Sequence, residues 1–132
     1  MKVLGLDDKY HKWNPKSGKG KRSKLHNRVR KFLDKHFPHD RILEEVTLAG
    51  TKRPSSFGGL LRADFWLPLR SMVVEANGEQ HFKFNTFHFK NKLDFFRAKA
   101  RDRDKAYWCE INDIRLINLN FDETDEEWGK KL

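Results

Sequence analysis

The chain reads as one α/β domain, a four-stranded mixed sheet flanked by helices. Three observations predict it. Apolar residues recur at helical spacing over 23–37 and over 91–112. Runs at 41–48, 62–81 and 114–119 carry the short apolar or alternating patterns of strands. The order is helix, strand, strand, strand, helix, strand, within a length of 132 residues that suits one core.

Residues 1–22 form a basic N-terminal arm that holds Lys16, Lys19, Lys21 and Arg22, with Gly18 and Gly20 between them. It reads as a flexible strap able to lie along a phosphate backbone, or as a tail whose Trp13 packs on the domain edge. The folded domain is expected over 23–121. Its first helix, 23–37, carries Leu25, Val29, Phe32, Leu33 and Phe37 on one face and Lys24, Arg28, Lys31 and Lys35 on the other. Ser23 is its N-cap, Pro38 its stop, and His26 lies at the border of the apolar stripe. In the strand 41–48, Ile42, Val46 and Leu48 share a side with Glu44, opposite Leu43, Glu45 and Thr47. A loop over 49–58 presents Lys52 and Arg53 to phosphates.

The stretch 62–81 reads as two apolar strands joined by a tight turn. Leu61, Ala63, Phe65 and Leu67 fall on one face, Arg62, Asp64 and Trp66 on the other. A turn centred between Leu69 and Arg70 sets Asp64 opposite Glu75 and Arg62 opposite Asn77. Opposed side chains in such a hairpin have Cβ atoms roughly 4.5–5.5 Å apart, and like charges at that distance destabilise a sheet. The pair makes sense with a cation between its members. Hard divalent ions are held by one or two carboxylates with waters and phosphate oxygens, the arrangement used for phosphodiester hydrolysis. The bland alternative is a half-exposed hairpin with two solvated acids.

Residues 79–90 alternate aromatic with polar residues, and the helix 91–112 is apolar on two sides, which predicts that it is sandwiched. Cys109 in that helix reads as a packing residue. The segment 122–132 reads as an acidic C-terminal tail, either solvated or folded onto the basic surface.

With 37% hydrophobic residues, including 11 Phe and 4 Trp, the chain is too apolar to be disordered. The net charge of +9 and a pI of about 9.8 point to a polyanion, most often nucleic acid. No apolar run is long enough to span a membrane and no signal peptide is evident, which gives a cytoplasmic expectation. A single cysteine excludes an internal disulfide framework.

Ala63-Asp64-Phe65 is followed by Val74-Glu75-Ala76-Asn77-Gly78-Glu79-Gln80-His81, and later by Arg101-Asp102-Arg103-Asp104-Lys105. Together these resemble the PD-(D/E)XK nuclease superfamily, over roughly residues 23–120. Within it they are similar to the branch of very short patch repair endonucleases and homing endonucleases with an EDxHD core. The resemblance implies a restriction-endonuclease-like core and a DNA endonuclease dependent on Mg²⁺ or Mn²⁺. It implies that Asp64 and Glu75 ligate the metal, joined by the Ala76 carbonyl. Asn77 stands where the superfamily usually has Lys, and an amide orients a water or phosphate without taking a proton. His81 is then the implied general base or acid, and Gln80 a contact to phosphate or the attacking water. Branch members often carry a Glu on the first helix. Here the nearest match is His26, with Glu45 as a further candidate. Asp102 and Lys105 are implied supports that orient His81 or contact DNA. Phosphate contacts are expected from Lys16, Lys19, Lys21, Arg22, Lys24, Arg28, Lys52 and Arg53, and such contacts set register rather than sequence choice. Sequence preference would then come from a partner, a homodimer or DNA shape. The rival readings are a nucleic-acid-binding module that does not cleave and a structural protein that binds acidic partners through charge alone.

Overall fold

The computed structural model describes residues 1–52, 59–78 and 92–132. It is a mixed α/β fold. The strands are β1 (Lys2–Leu4), β2 (Tyr10–Lys12), β3 (Leu43–Thr47), β4 (Arg62–Leu67), β5 (Met72–Asn77) and β6 (Arg115–Asn120). The helices are α1 (Lys24–His36), α2 (Lys92–Ile111) and the short α3 (Asp125–Gly129). The central sheet has the order β3-β4-β5-β6. Its first two pairings are antiparallel and β5 pairs with β6 in parallel, a pairing that needs a long crossover, here one that contains α2.

The β4–β5 turn is a 3₁₀ turn over Pro68–Arg70, closed by Ser71 in the left-handed region at φ 49°. Arg70 binds Asp40 at 2.7 Å and lies over the Phe37 ring, so the turn is tied to the segment that follows α1. The hairpin pairs Phe65 with Val74, Trp66 with Val73 and Leu67 with Met72, the register expected from the apolar pattern.

Two apolar layers sandwich the sheet. On one face Val29, Phe32 and Leu33 of α1 and Trp128 of α3 pack on Phe65, Leu67, Met72, Val74, Ile117 and Leu119. On the other, Trp108 and Cys109 of α2 and Val3 and Trp13 of the N-terminal segment pack on Leu43, Val46, Leu48, Ala63, Trp66 and Val73. Burying one large apolar side chain contributes about 1.5–3 kcal/mol. The tryptophans Trp13, Trp66, Trp108 and Trp128, all 3% exposed or less, therefore anchor both layers.

Several expectations change. Of the two readings of the N-terminal segment, the packed one holds and the free strap does not: β1 and β2 form a hairpin, and Trp13 is buried with its indole N–H donated to the Thr47 carbonyl at 2.8 Å. Asn112 at the end of α2 bonds both the N–H and the carbonyl of Leu4, which locks this hairpin to the domain. The acidic C-terminal segment is also built in. Thr124 caps α3, and Arg28 binds Asp125 at 2.7 Å while stacking over the buried Trp128 ring. Helix α2 is covered on one side only among the described residues, since Leu93, Phe96 and Tyr107 are exposed.

The strict alternation predicted for β3 and β4 also fails, at one row. Leu43 and Val46, three positions apart, lie in the same layer, and so do Trp66 and Ala63 opposite them. Glu45, between them, has φ 53° and reverses the facing of the chain. A non-glycine residue in that region costs of order 1–3 kcal/mol and is found where the surroundings impose it, often at functional sites.

Candidate metal centre

The row at which the sheet departs from regular pairing is the row of the acids. Leu43, Glu44, Val46 and Thr47 pair regularly with β4, and the Glu45 and Asp64 positions between them do not. Regular β4–β5 pairing likewise stops at Phe65 and Val74. Beyond it the side chains supply the hydrogen bonds. The Asp64 N–H donates to Glu75 Oε2 at 3.0 Å, and the Ala76 N–H donates to Asp64 Oδ2 at 2.8 Å. The two carboxylates thus meet across the hairpin.

Helix α1 delivers the third component. The Ser23 hydroxyl accepts the His26 N–H at 3.0 Å, which starts the helix so that His26 points inward. Its ring is buried and stacks on Phe65 with centroids 4.4 Å apart. Nε2 lies 2.9 Å from Glu44 Oε1 and Nδ1 lies 3.6 Å from Glu45 Oε1. With the proton on Nε2, donated to Glu44, the Nδ1 lone pair faces Glu45. Metal-ligating histidines are commonly oriented by such a carboxylate behind the ring. Glu44 is itself held by Arg30 at 3.0 Å and Arg22 at 3.3 Å. Burial works to raise its pKa, but the His26 hydrogen bond and the two arginines together take it below the usual carboxylate range.

Ligand atoms of His26, Glu45 and Asp64 all lie within 4.8 Å of one another, the group among the described residues that is able to share an ion. One imidazole and two carboxylates form a donor set suited to a divalent cation. The nitrogen donor favours Mn²⁺ over the strictly oxygen-seeking Mg²⁺. These residues line a cleft of about 220 Å³ with Lys21, Ser23, Glu75, Ala76 and Lys105.

Glu75 is matched differently from the expectation. Its Oε1 takes the Lys105 ammonium at 2.8 Å, so a protein cation already sits beside this acid. Burial pushes Glu75 up to about 7; Lys105 opposes the shift and the neighbouring Asp64 carboxylate adds to it. Burial acts to lower the Lys105 pKa, yet the Glu75, Asp64 and Asp102 carboxylates overcome it and the ammonium is stabilised.

The N-terminal segment completes the rim. Gly18 N–H donates to the Glu44 carbonyl at 2.9 Å, and the Ser17 hydroxyl accepts the Glu44 N–H at 3.1 Å. A Cβ at Gly18 would lie 2.4 Å from the Glu45 carbonyl oxygen. Glycine there lets the segment run against β3 and carries Lys21 into the cleft.

The structure therefore brings together Asp64, Glu75, Ala76, His26, Glu45 and Lys105. Asn77 lies apart from them, bonded to Asn118 and Asn120 in a second cavity that Asp102 also lines. Lys16, Lys19, Lys21, Lys24 and Lys52 are exposed, whereas Arg22 and Arg28 are engaged by Glu44 and Asp125. Arg53, Gln80 and His81 lie outside the described residues. Cys109 is buried and its thiol is pushed up to about 12 by that burial, which suits packing. Glu44 escaped the sequence reading as a functional residue. Its signal was a charge on the apolar side of a strand.

No family model matches the chain, and no solved structure matches it. The chain is similar to two viral proteins. Over 64 residues, 48% of this chain, it is 34% identical to uncharacterized protein 033L of Invertebrate iridescent virus 3. Over 65 residues, 49% of this chain, it is 35% identical to uncharacterized protein 307L of Invertebrate iridescent virus 6. The match covers 33% of each relative's length. No helix among the described residues is long and apolar enough to cross a membrane.

Proposed function

We propose that this chain is a divalent-metal-dependent endonuclease acting on DNA, with a restriction-endonuclease-like core of the PD-(D/E)XK kind. The observation that carries the reading is the convergence of His26, Glu45 and Asp64 within 4.8 Å at an interrupted row of the sheet. The adjoining Glu75–Lys105 pair supports it, as does the net charge of +9.

In this reading His26, Glu45 and Asp64 hold Mn²⁺ or Mg²⁺, and Glu44 fixes the tautomer of His26. A divalent ion there would lower the pKa of bound water and offset charge on the phosphorane. Lys21 and the exposed lysines of the N-terminal segment draw the phosphate backbone to the cleft. Glu75, with its pKa lifted toward 7, takes a proton from water near neutral pH, where a general base works best. Lys105 keeps Glu75 in place.

The test is incubation of supercoiled plasmid with the protein and Mn²⁺ or Mg²⁺, beside Asp64→Ala. Conversion to nicked or linear DNA by the wild type alone is the expected result. The second reading is a nucleic-acid-binding module on the same scaffold. It is favoured by the Lys105 ammonium that already neutralises Glu75 and by Asn77 in the usual lysine position. Salt-sensitive DNA binding by both proteins with no cleavage by either supports that module.

A further inference from the structure

Glu75 and Lys105 form a wall shared by two cavities. On one side lies the metal cleft. On the other is a cavity of about 330 Å³ lined also by Asn77, Asn118, Asn120, Lys99, Asp102, Ala106 and Leu116. Its size is that of a small-ligand site. We infer that this second cavity receives a nucleobase taken out of the stack, and that its carboxamides favour adenine and thymine over guanine and cytosine. The inference rests on the proposed function for its choice of DNA as ligand.

Asn77 of β5 is the partner of Asn120 of β6, and Asn118 shares a face with Asn120 because strand side chains two apart do so. The Asn77 Nδ2 donates to Asn118 Oδ1 at 3.0 Å and to Asn120 Oδ1 at 3.2 Å. Each amide therefore uses one end inside the cluster and keeps the other for a ligand. The remaining groups are the Asn77 oxygen, an acceptor, and the Asn118 and Asn120 nitrogens, both donors.

If all three amides turn over together, both internal bonds survive with roles exchanged. The outward set then becomes one donor and two acceptors. Either state presents donors and acceptors in alternation. The Watson–Crick edge of thymine alternates acceptor, donor, acceptor, and adenine sets one donor beside one acceptor. Guanine and cytosine each place two like groups side by side, so one of them meets a like group in either state.

Ala106 and Leu116 offer apolar surface to the plane of a base, and the cavity's two lysines, Lys99 and Lys105, are matched by its two acids, Glu75 and Asp102, which suits a neutral base rather than an anion. Because the two cavities share the Glu75–Lys105 wall, a base among the asparagines would lie next to the metal cleft. Enzymes that act on a nucleotide outside the helix read its exposed edge in this way.

The test is a nuclear magnetic resonance titration of the full, metal-free chain with dTMP, dAMP, dGMP and dCMP. The expected result is a saturable shift of the Asn77, Asn118 and Asn120 side-chain amides. Binding of dTMP and dAMP should be roughly tenfold tighter than that of the other two, the scale of one well-made base-edge contact. Asn118→Ala, at an exposed position, should keep the folded backbone spectrum and bring all four nucleotides to parity. Equal binding of the four by the wild type, or no shift of these amides with any of them, overturns the inference. The readout uses neither metal nor cleavage. A plasmid that stays uncut with the base preference present counts against the nuclease alone, and cleavage without any base preference counts against this cavity alone.

Discussion

His26 and Glu44 meet at 2.9 Å through Nε2 and Oε1, and that contact leaves Nδ1 turned toward Glu45 and Asp64. A carboxylate in this position orients a ligating imidazole and raises its basicity, and its loss typically costs 10–100-fold in metal affinity. Glu44→Ala is therefore expected to weaken Mn²⁺ binding by roughly 10–100-fold without abolishing it. Calorimetric titration of both proteins measures the difference.

Glu75 gives stability a pH dependence of defined sign. Its folded pKa of about 7 stands above its ordinary value of 4.5. Between those values the native state binds more protons than the unfolded one. Its contribution is full below about pH 4.5 and is lost as the pH rises through 7. Glu75→Gln should remove this downward slope. Urea denaturation of both proteins at several pH values between 4.5 and 8 reads it directly.

Lys105→Met strands the Glu75 carboxylate without its cation. Breaking a buried pair by removing one partner costs about 3–5 kcal/mol. The cost should be largest at pH 8 and shrink near pH 5, where Glu75 takes a proton and no bare charge remains. A loss that is equal at both pH values would show that Lys105 acts through packing of its stem.

Gly18→Ala drives a Cβ against the Glu45 carbonyl oxygen, whereas nothing lies within 4 Å of a Cβ at Gly20. The Gly18 variant should lose about 1–3 kcal/mol of stability through overpacking and bind Mn²⁺ more weakly as Glu45 shifts. Gly20→Ala should match the wild type in thermal melting and in metal titration.

Trp128→Ala tests whether the C-terminal segment belongs to the core. Removing a fully buried tryptophan costs about 3–5 kcal/mol. Arg28 also loses the ring beneath it, which lies 3.8 Å away. Chemical denaturation should show the destabilisation with one cooperative transition.

The hairpin register was legible because its apolar strands and short turn admit one pairing that buries Phe65, Leu67, Met72 and Val74 together. Helix α1 was legible through its cap and stripe. The reversal at Glu45 was not, because nothing in a glutamate announces a positive φ, and both β3 and β4 therefore received the wrong alternation. Trp13 was legible as one of two readings of its segment, whereas Trp128 is a single anchor inside an acidic segment whose charges dominate the pattern. The acids of the site could be found from their places on apolar strands. Their partners could not: the Lys105 contact to Glu75 joins α2 to β5, and the Glu44 contact to His26 joins β3 to α1, across distances in sequence that periodicity does not span.

We propose that His26, Glu45 and Asp64 together hold one divalent cation. Calorimetric titration of Mn²⁺ into the wild type, His26→Ala and Asp64→Asn tests it most directly. One saturable site is expected in the wild type, weakened at least tenfold in either variant, with all three proteins folded by circular dichroism (about the loss expected for a disturbed metal site). Binding of equal strength in all three, or no saturable binding in the wild type, would contradict it.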